Sequence, residues 1–365
     1  MQGKRDPLLK SLQRGAYRRA LGLQVSLRAR ARAGEPRLFY GGARAGSGGG
    51  PLVKVSRLQA AFPEDRRHYN LVYLLSNAPY LPASALATLK ARGVPMVLNQ
   101  NGTFYPAWFE GDWQARNALM AQAYHAADHV FWQSAFCQRL ADEHLGRRQG
   151  PGEILFNAID TAHFTPAPRP ERPVTFLVAG KIEHHLYPRV GDAVMALAGL
   201  RKQGIAARLI VAGSLDDESG RRAEADIARF GLDTEVDLTG PYTQAGAPAI
   251  YRRADIYLMT KPNDPCPNTV LEAMACGLPV VYSATGGVPE LAGETGWPLA
   301  VEESTRTMNW PLAGPLTETM AAAARDYAER GAAARARAVE RFDILPWIAR
   351  HRAVFEDLLS RGSKP

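Results

Sequence analysis

From residue 37 onward, short runs of almost uninterrupted apolar residues alternate with segments whose apolar positions recur every three or four residues. The short runs predict strands at 37–40 (RLFY), 69–75 (YNLVYLL), 94–99 (VPMVLN), 128–132 (HVFWQ) and 153–156 (EILF). Helices open between them, near Pro51, Pro82, Asp112 and Ser134. The alternation pauses at 165–173 (TPAPRPERP). Proline lacks an N–H and restricts the residue before it, so an extended linker is expected there. The alternation then restarts, with strands at 174–179, 208–212, 236–239, 255–259 and 279–283, and helices at about 188–203, 219–231, 244–253 and 268–276. Residues 316–340 read as one more helix. A last helix, about 345–360, puts Trp347, Ile348, Val354, Phe355, Leu358 and Leu359 broadly on one side. Strands apolar on both faces belong to parallel sheets covered by helices. The pattern predicts an α/β protein of two doubly wound domains facing a cleft, with ligands beyond the carboxyl ends of the strands.

Composition narrows the class. The 365 residues are 46% hydrophobic and 22% charged, which is ordinary globular usage. No apolar run approaches about 18 residues, so no membrane-spanning helix is expected. No apolar leader segment with a small-residue cleavage site stands out either. Cys137, Cys266 and Cys276 form neither a disulfide framework nor a zinc pattern, so a cytoplasmic setting is expected. The net charge of +8 has one source. Residues 1–37 hold ten Lys/Arg (Lys4, Arg5, Lys10, Arg14, Arg18, Arg19, Arg28, Arg30, Arg32, Arg37) against Asp6 and Glu35, and the remaining 328 residues are neutral. Within this stretch Leu9, Leu12, Ala16, Ala20, Leu23 and Leu27 recur at helical spacing. A basic amphipathic helix suits an anionic membrane surface. A solvated extension is the competing reading. Nucleic acid is not expected, because the body shows neither a basic stripe nor interleaved aromatics.

Two segments carry candidate chemistry. Residues 41–50 (GGARAGSGGG) let backbone amides approach a ligand, but no GK[ST] follows and Pro51 takes the place of the third glycine of GxGxxG. Residues 261–299 read KPNDPCPNTVLEAMACGLPVVYSATGGVPELAGETGWPL. Here Pro262, Pro265 and Pro267 break regular structure, Asn268 is the expected cap of a helix running to Cys276, and Gly277 stops it. The first-turn amides of Thr269, Val270 and Leu271 suit an anion such as a diphosphate. Glu272, in the second turn, suits a vicinal diol, and Asp264 rims the same mouth. Plainer readings exist. A surface acid is the lesser alternative for Glu272 and a turn residue the lesser alternative for Asp264, while Asp216-Asp217-Glu218 reads as a solvated, helix-capping turn. Glu183-His184-His185 lacks metal-ligand spacing, so no metal is expected.

The spacing Asp264-x7-Glu272, with AMACGLPVV and GGVPEL after it, resembles the E-x7-E signature of family-four (group 1) glycosyltransferases. VTFLVAGK, RLIVAGS, VDLTGPY, YRRADIYLMT and FNAIDTAHFTP are similar to that family as well. The resemblance implies the GT-B fold: two Rossmann-like domains facing a cleft, with a C-terminal helix that crosses back to the first. Mapped on this chain, that gives an arm at 1–36, an acceptor-side domain at 37–165, a linker at 166–173, a nucleotide-sugar domain at 174–343 and the crossing helix at 344–365.

It also implies retaining, metal-independent transfer of a sugar from a nucleotide-diphospho-sugar, with no cofactor. Glu272 would bind the donor ribose and Asp264 the sugar hydroxyls. Asn268, Thr269 and Val270 would present amides to the diphosphate, and Lys181 and Arg189 would neutralise it. Pro241 and Tyr242 would line the base pocket, and Gly41 and Gly42 would face the transferred sugar. The sequence departs from the family at Asp264, which replaces the first Glu, and at 180–189 (GKIEHHLYPR), which lacks the usual order. It departs again after strand 94–99, where Gln100 and Asn101 stand in place of a histidine. Gln100, Asn101 and Trp108 are the acceptor-side candidates. The implied partners are the donor and a glycan or lipid-linked acceptor, in envelope polysaccharide or glycolipid synthesis at the inner membrane face. A GT-B epimerase or phosphorylase, or a non-catalytic scaffold, is the alternative.

Overall fold

The apolar runs do form strands, because only a fully paired backbone satisfies its polar groups away from water. The computed structural model describes residues 7–46, 50–169 and 171–361, with side chains from residue 13 on and not at 50–51. The side chains of Leu9, Lys10 and Leu12, the loop positions 47–49 and linker residue Pro170 lie outside the described residues. The chain divides into two compact units, Met1–Leu155 with Trp347–Pro365, and Phe156–Pro346.

Unit 1 comprises α1 (Pro7–Arg28), β1 (Leu38–Phe39), α2 (Gly50–Ala61), β2 (Leu71–Leu75), α3 (Ala83–Ala91), β3 (Met96–Gln100), α4 (Trp113–Ala126), β4 (His129–Trp132), α5 (Ala135–Leu145) and β5 (Gly152–Ile154). Its parallel sheet has the order β1-β2-β3-β4-β5. One face packs Phe39, Val72, Leu74, Met96 and Leu98 against α1, α3 and α4. Asp112 and Ser134 cap α4 and α5 by accepting from the Ala115 and Cys137 amides. On the other face, the Tyr73 hydroxyl donates to Nε2 of His351, 3.0 Å away, while His351 Nδ1 donates to the Trp347 carbonyl.

Unit 2 runs β6 (Val174–Ala179), α6 (Pro188–Lys202), β7 (Ala207–Ala212), α7 (Asp217–Phe230), β8 (Val236–Gly240), α8 (Ala247–Tyr251), β9 (Ile256–Met259), α9 (Asn268–Ala275), β10 (Val280–Ser283), α10 (Val288–Ala292), β11 (Trp297–Leu299) and α11 (Ala313–Phe342), which bends at Asp326. Helix α12 (Ile344–Arg361) starts at its end and belongs to unit 1 from Trp347 on. The parallel sheet has the order β11-β10-β9-β6-β7-β8. The chain therefore winds outward from β6 to β8, returns to the other side of β6 at β9, and winds outward again. The strand-order reversal of a doubly wound sheet falls between β6 and β9, the place where sheets of this kind bind ligands beyond the carboxyl ends of their strands.

The sequence pattern does not single out the residues by which α1 and its end meet unit 1, namely Leu21, Val25 and Ala29, all buried in its core, whereas Ala16, Ala20, Leu23 and Leu27 of the expected stripe are exposed. One expectation is corrected. Asn268 does not cap α9: it is the first helical residue, after Pro267, and no side chain caps that end. The sequence pattern also misses β11 and α10. β11 has three residues at a sheet edge with Pro298 in the middle, and α10 has five, both too short to show periodicity.

Candidate donor site

The sheet order puts the carboxyl ends of β6 and β9 side by side, and α6 and α9 follow those two strands. Arg189, in the first turn of α6, is 5% exposed. Its guanidinium donates to the Ala179 carbonyl at 3.0 Å and to the Tyr257 hydroxyl at 3.4 Å. Its Nε is buried without a hydrogen-bond partner. Among the described residues no carboxylate forms an ion pair with Arg189, although a buried charge ordinarily requires one.

Glu272 is 4% exposed on α9. Its two carboxylate oxygens accept from Gln244 Nε2 at 2.9 Å and from the Tyr251 hydroxyl at 2.8 Å. The hydroxyls of Tyr251, Tyr242 and Tyr257 are all raised above the usual tyrosine range. Burial is the main cause in each, and the Glu272 charge adds to it. Arg189 and Thr269 act in the opposite direction on Tyr257, which places that hydroxyl between the two helix starts. Helix α9 opens at Asn268 and closes at Gly277, which sits in the left-handed region at φ 80°. The Val270 amide turns to the Pro267 carbonyl at 3.1 Å, so the donors facing outward are those of Asn268 and Thr269. The Asn268 Oδ1 is buried without a partner.

Asp264 lies in the loop before α9. One oxygen accepts from Lys261 at 2.9 Å, the other from the Cys266 amide at 3.3 Å, and its backbone carbonyl accepts from the Gly287 amide. The GGVPEL turn is pressed against this loop. Gly286 has φ 75°, and a Cβ there would stand 2.6 Å from the Asp264 carbonyl oxygen and 2.8 Å from its nitrogen. Only glycine lets the two segments approach this closely.

The structure thus brings Arg189, Tyr242, Asn268, Thr269, Val270 and Glu272 together, with Asp264 on the rim. The two expected cations differ in setting: Lys181 is an exposed side chain paired with Glu183 at 2.5 Å, whose carboxyl it holds below the usual range, while Arg189 is buried at the carboxyl ends of β6 and β9. Pro241 is exposed at the end of β8. Gln244, Tyr251 and Tyr257 were not legible in the sequence: they come from three elements, and only the fold unites them. In unit 1, Gly41 and Gly42 are turn residues packed against Leu74, Leu81 and Leu21, and the Tyr17 hydroxyl donates to the Gly42 carbonyl. Gln100 is buried, donating to the Gly102 carbonyl, and Asn101 is tied to Ser76. Trp108 is 41% exposed and stacks on Phe104, with ring centroids 5.0 Å apart. Asp216 caps α7, as the turn reading had it. Cys137, Cys266 and Cys276 are buried and none forms a disulfide, and no helix among the described residues is long and apolar enough to cross a membrane.

Two parallel-sheet units, one of them reversing its strand order beside a buried arginine and a buried glutamate, define an α/β protein of the GT-B class. The fold is shared with Anabaena HepE, at a TM-score of 0.63 and 20% identity over 84% of this chain and 82% of that one. Residues 173–309 match the family model described as Glycosyl transferases group 1, and the chain carries a domain of that family. It is 31% identical over 164 residues to a D-inositol 3-phosphate glycosyltransferase of Pseudarthrobacter chlorophenolicus, covering 42% of this chain and 39% of that protein. It is 28% identical over 235 residues to glycogen synthase of Mycobacterium tuberculosis, covering 59% and 52%. The matches span less than two thirds of the length of these curated relatives.

Proposed function

We propose that this protein transfers a sugar from a nucleotide-diphospho-sugar to a hydroxyl acceptor with retention of anomeric configuration. The carrying observation is Arg189, a guanidinium buried without a counter-ion where the strand order reverses, beside the start of α9. A diphosphate supplies the missing negative charge. Its oxygens meet Arg189 and the amides of Asn268 and Thr269, where the helix dipole favours an anion. Glu272, held by Gln244 and Tyr251, takes the ribose hydroxyls, and Asp264 takes hydroxyls of the sugar. The half-buried ring of Tyr242 borders the base. The family match and the UDP held in the HepE crystal structures support this reading.

Cleavage of the sugar–phosphate bond adds charge to the departing diphosphate, and donors already aimed at that charge lower the barrier. In this reading Arg189 and the first turn of α9 supply the positive charge that phosphate departure requires, with no cofactor. On unit 1, the exposed Trp108 and the Phe104 beneath it form the aromatic surface for a sugar acceptor. A glycan or lipid-linked sugar of the cell envelope is the acceptor class we propose.

The test is proton NMR of the protein with UDP-, GDP- and ADP-sugars and a panel of glycan and glycolipid acceptors. A new glycoside with the anomeric configuration of the donor is the expected product. An inverted glycoside, or only free or epimerised sugar, contradicts the proposal.

A further inference from the structure

Helix α1 carries two apolar stripes on opposite sides. The inner one fixes it to unit 1. Leu21, Val25 and Ala29 are buried in the core, Tyr17 donates its hydroxyl to the Gly42 carbonyl, and the Arg92 guanidinium takes the Ser26 and Ala29 carbonyls. Gly22 lies against Pro82 at the start of α3, where a Cβ would stand 3.2 Å from the proline ring. The outer stripe is Ala16, Ala20, Leu23 and Leu27, at steps of four, three and four residues. At 3.6 residues per turn it lies roughly 170° around the helix from the inner stripe. Leu23 and Leu27 are each 62% exposed, among the most exposed large apolar side chains of the described residues.

Charge decides what meets this face. Residues 7–34 contain Lys10 and Arg14, Arg18, Arg19, Arg28, Arg30 and Arg32, and no Asp or Glu. Arg14, Arg19, Arg28 and Arg30 are exposed; Arg19 lies one turn before Leu23, and Arg30 follows the end of α1, three residues after Leu27. A second copy of the helix would set guanidinium groups against one another. An anionic bilayer surface accepts both the leucines and the arginines.

We propose that the outer face of α1 docks the protein on anionic membrane surfaces, with Leu23 and Leu27 entering the interface and Arg19 and Arg30 among the lipid phosphates. Because the inner stripe is already anchored in unit 1, docking this face fixes the whole unit at the surface. The inference stands apart from the donor site and does not depend on the transferase reading.

The experiment is co-sedimentation of the full chain with vesicles of phosphatidylcholine alone and of equimolar phosphatidylcholine and phosphatidylglycerol, at low and high salt. Wild type is expected to bind the mixed vesicles at low salt and to be released by high salt. The double variants Leu23→Ser, Leu27→Ser and Arg19→Glu, Arg30→Glu are each expected to lower the partition coefficient about tenfold or more. All four positions are exposed, so thermal unfolding should match wild type. Failure of wild type to bind the mixed vesicles overturns the proposal, as does equal binding by the variants. A wild-type dimer in light scattering that the serine variant dissolves assigns the face to self-association instead.

Discussion

Arg189 and Glu272 are both nearly excluded from water, yet they are satisfied differently. Glu272 has two neutral donors on its carboxylate, while Arg189 has two neutral acceptors and an unpartnered Nε. The glutamate is thereby held in one orientation and the arginine is left with a charge to give. The variant Glu272→Gln keeps the shape and removes the charge. A hydrogen bond to a charged group is worth about 1.5–3 kcal/mol, so nucleoside diphosphate affinity should fall by roughly ten- to a hundred-fold, as read by calorimetry. Lys181→Met, by contrast, breaks only an exposed pair with Glu183, and affinity should change by less than about threefold.

At the scale of elements, the α9 start is shaped by what presses on its loop. An alanine at 286 would need a left-handed backbone and would meet the Asp264 backbone at 2.6 Å, where nothing flexible can yield. Gly286→Ala should cost about 2 kcal/mol or more of stability and displace Asp264, measurable as a lower unfolding midpoint and weaker donor binding. Helix α12 is held differently. Burial, with the Lys54 charge adding to it, pushes the His351 imidazole down to about 3, so it stays neutral in the fold. The unfolded chain takes up that proton near pH 6.5 and the folded chain does not. His351 therefore stabilises fully above pH 6.5, and its contribution falls by about 1.4 kcal/mol for each pH unit below that, down to about pH 3. The steepness of urea midpoints against pH between 4 and 6 should drop in His351→Gln, and an equal steepness would refute the assignment.

For the whole molecule, the alternation of apolar runs was enough to place ten of the eleven strands of the described residues, because most of these parallel strands are buried on both faces and predominantly apolar. The Pro-Asn-Asp-Pro-Cys-Pro segment and Gly277 likewise marked both ends of α9 within a residue. Two things stayed hidden. Periodicity shows that α1 has an apolar stripe but not which of two stripes the body takes, since Leu21 and Leu23 look alike along the chain. Distance along the chain hides convergence as well: Gln244, Tyr251 and Tyr257 reach Glu272 and Arg189 only through the strand order, which places β9 beside β6. The central claim is that this convergence is a nucleoside diphosphate site. Its most direct test is calorimetry of UDP, GDP and ADP with wild type and Arg189→Met, each shown to be folded. The account predicts that one of the three binds wild type in the micromolar range and that the variant loses at least about tenfold. Wild type that binds none of them, or a variant that binds as tightly, would contradict it.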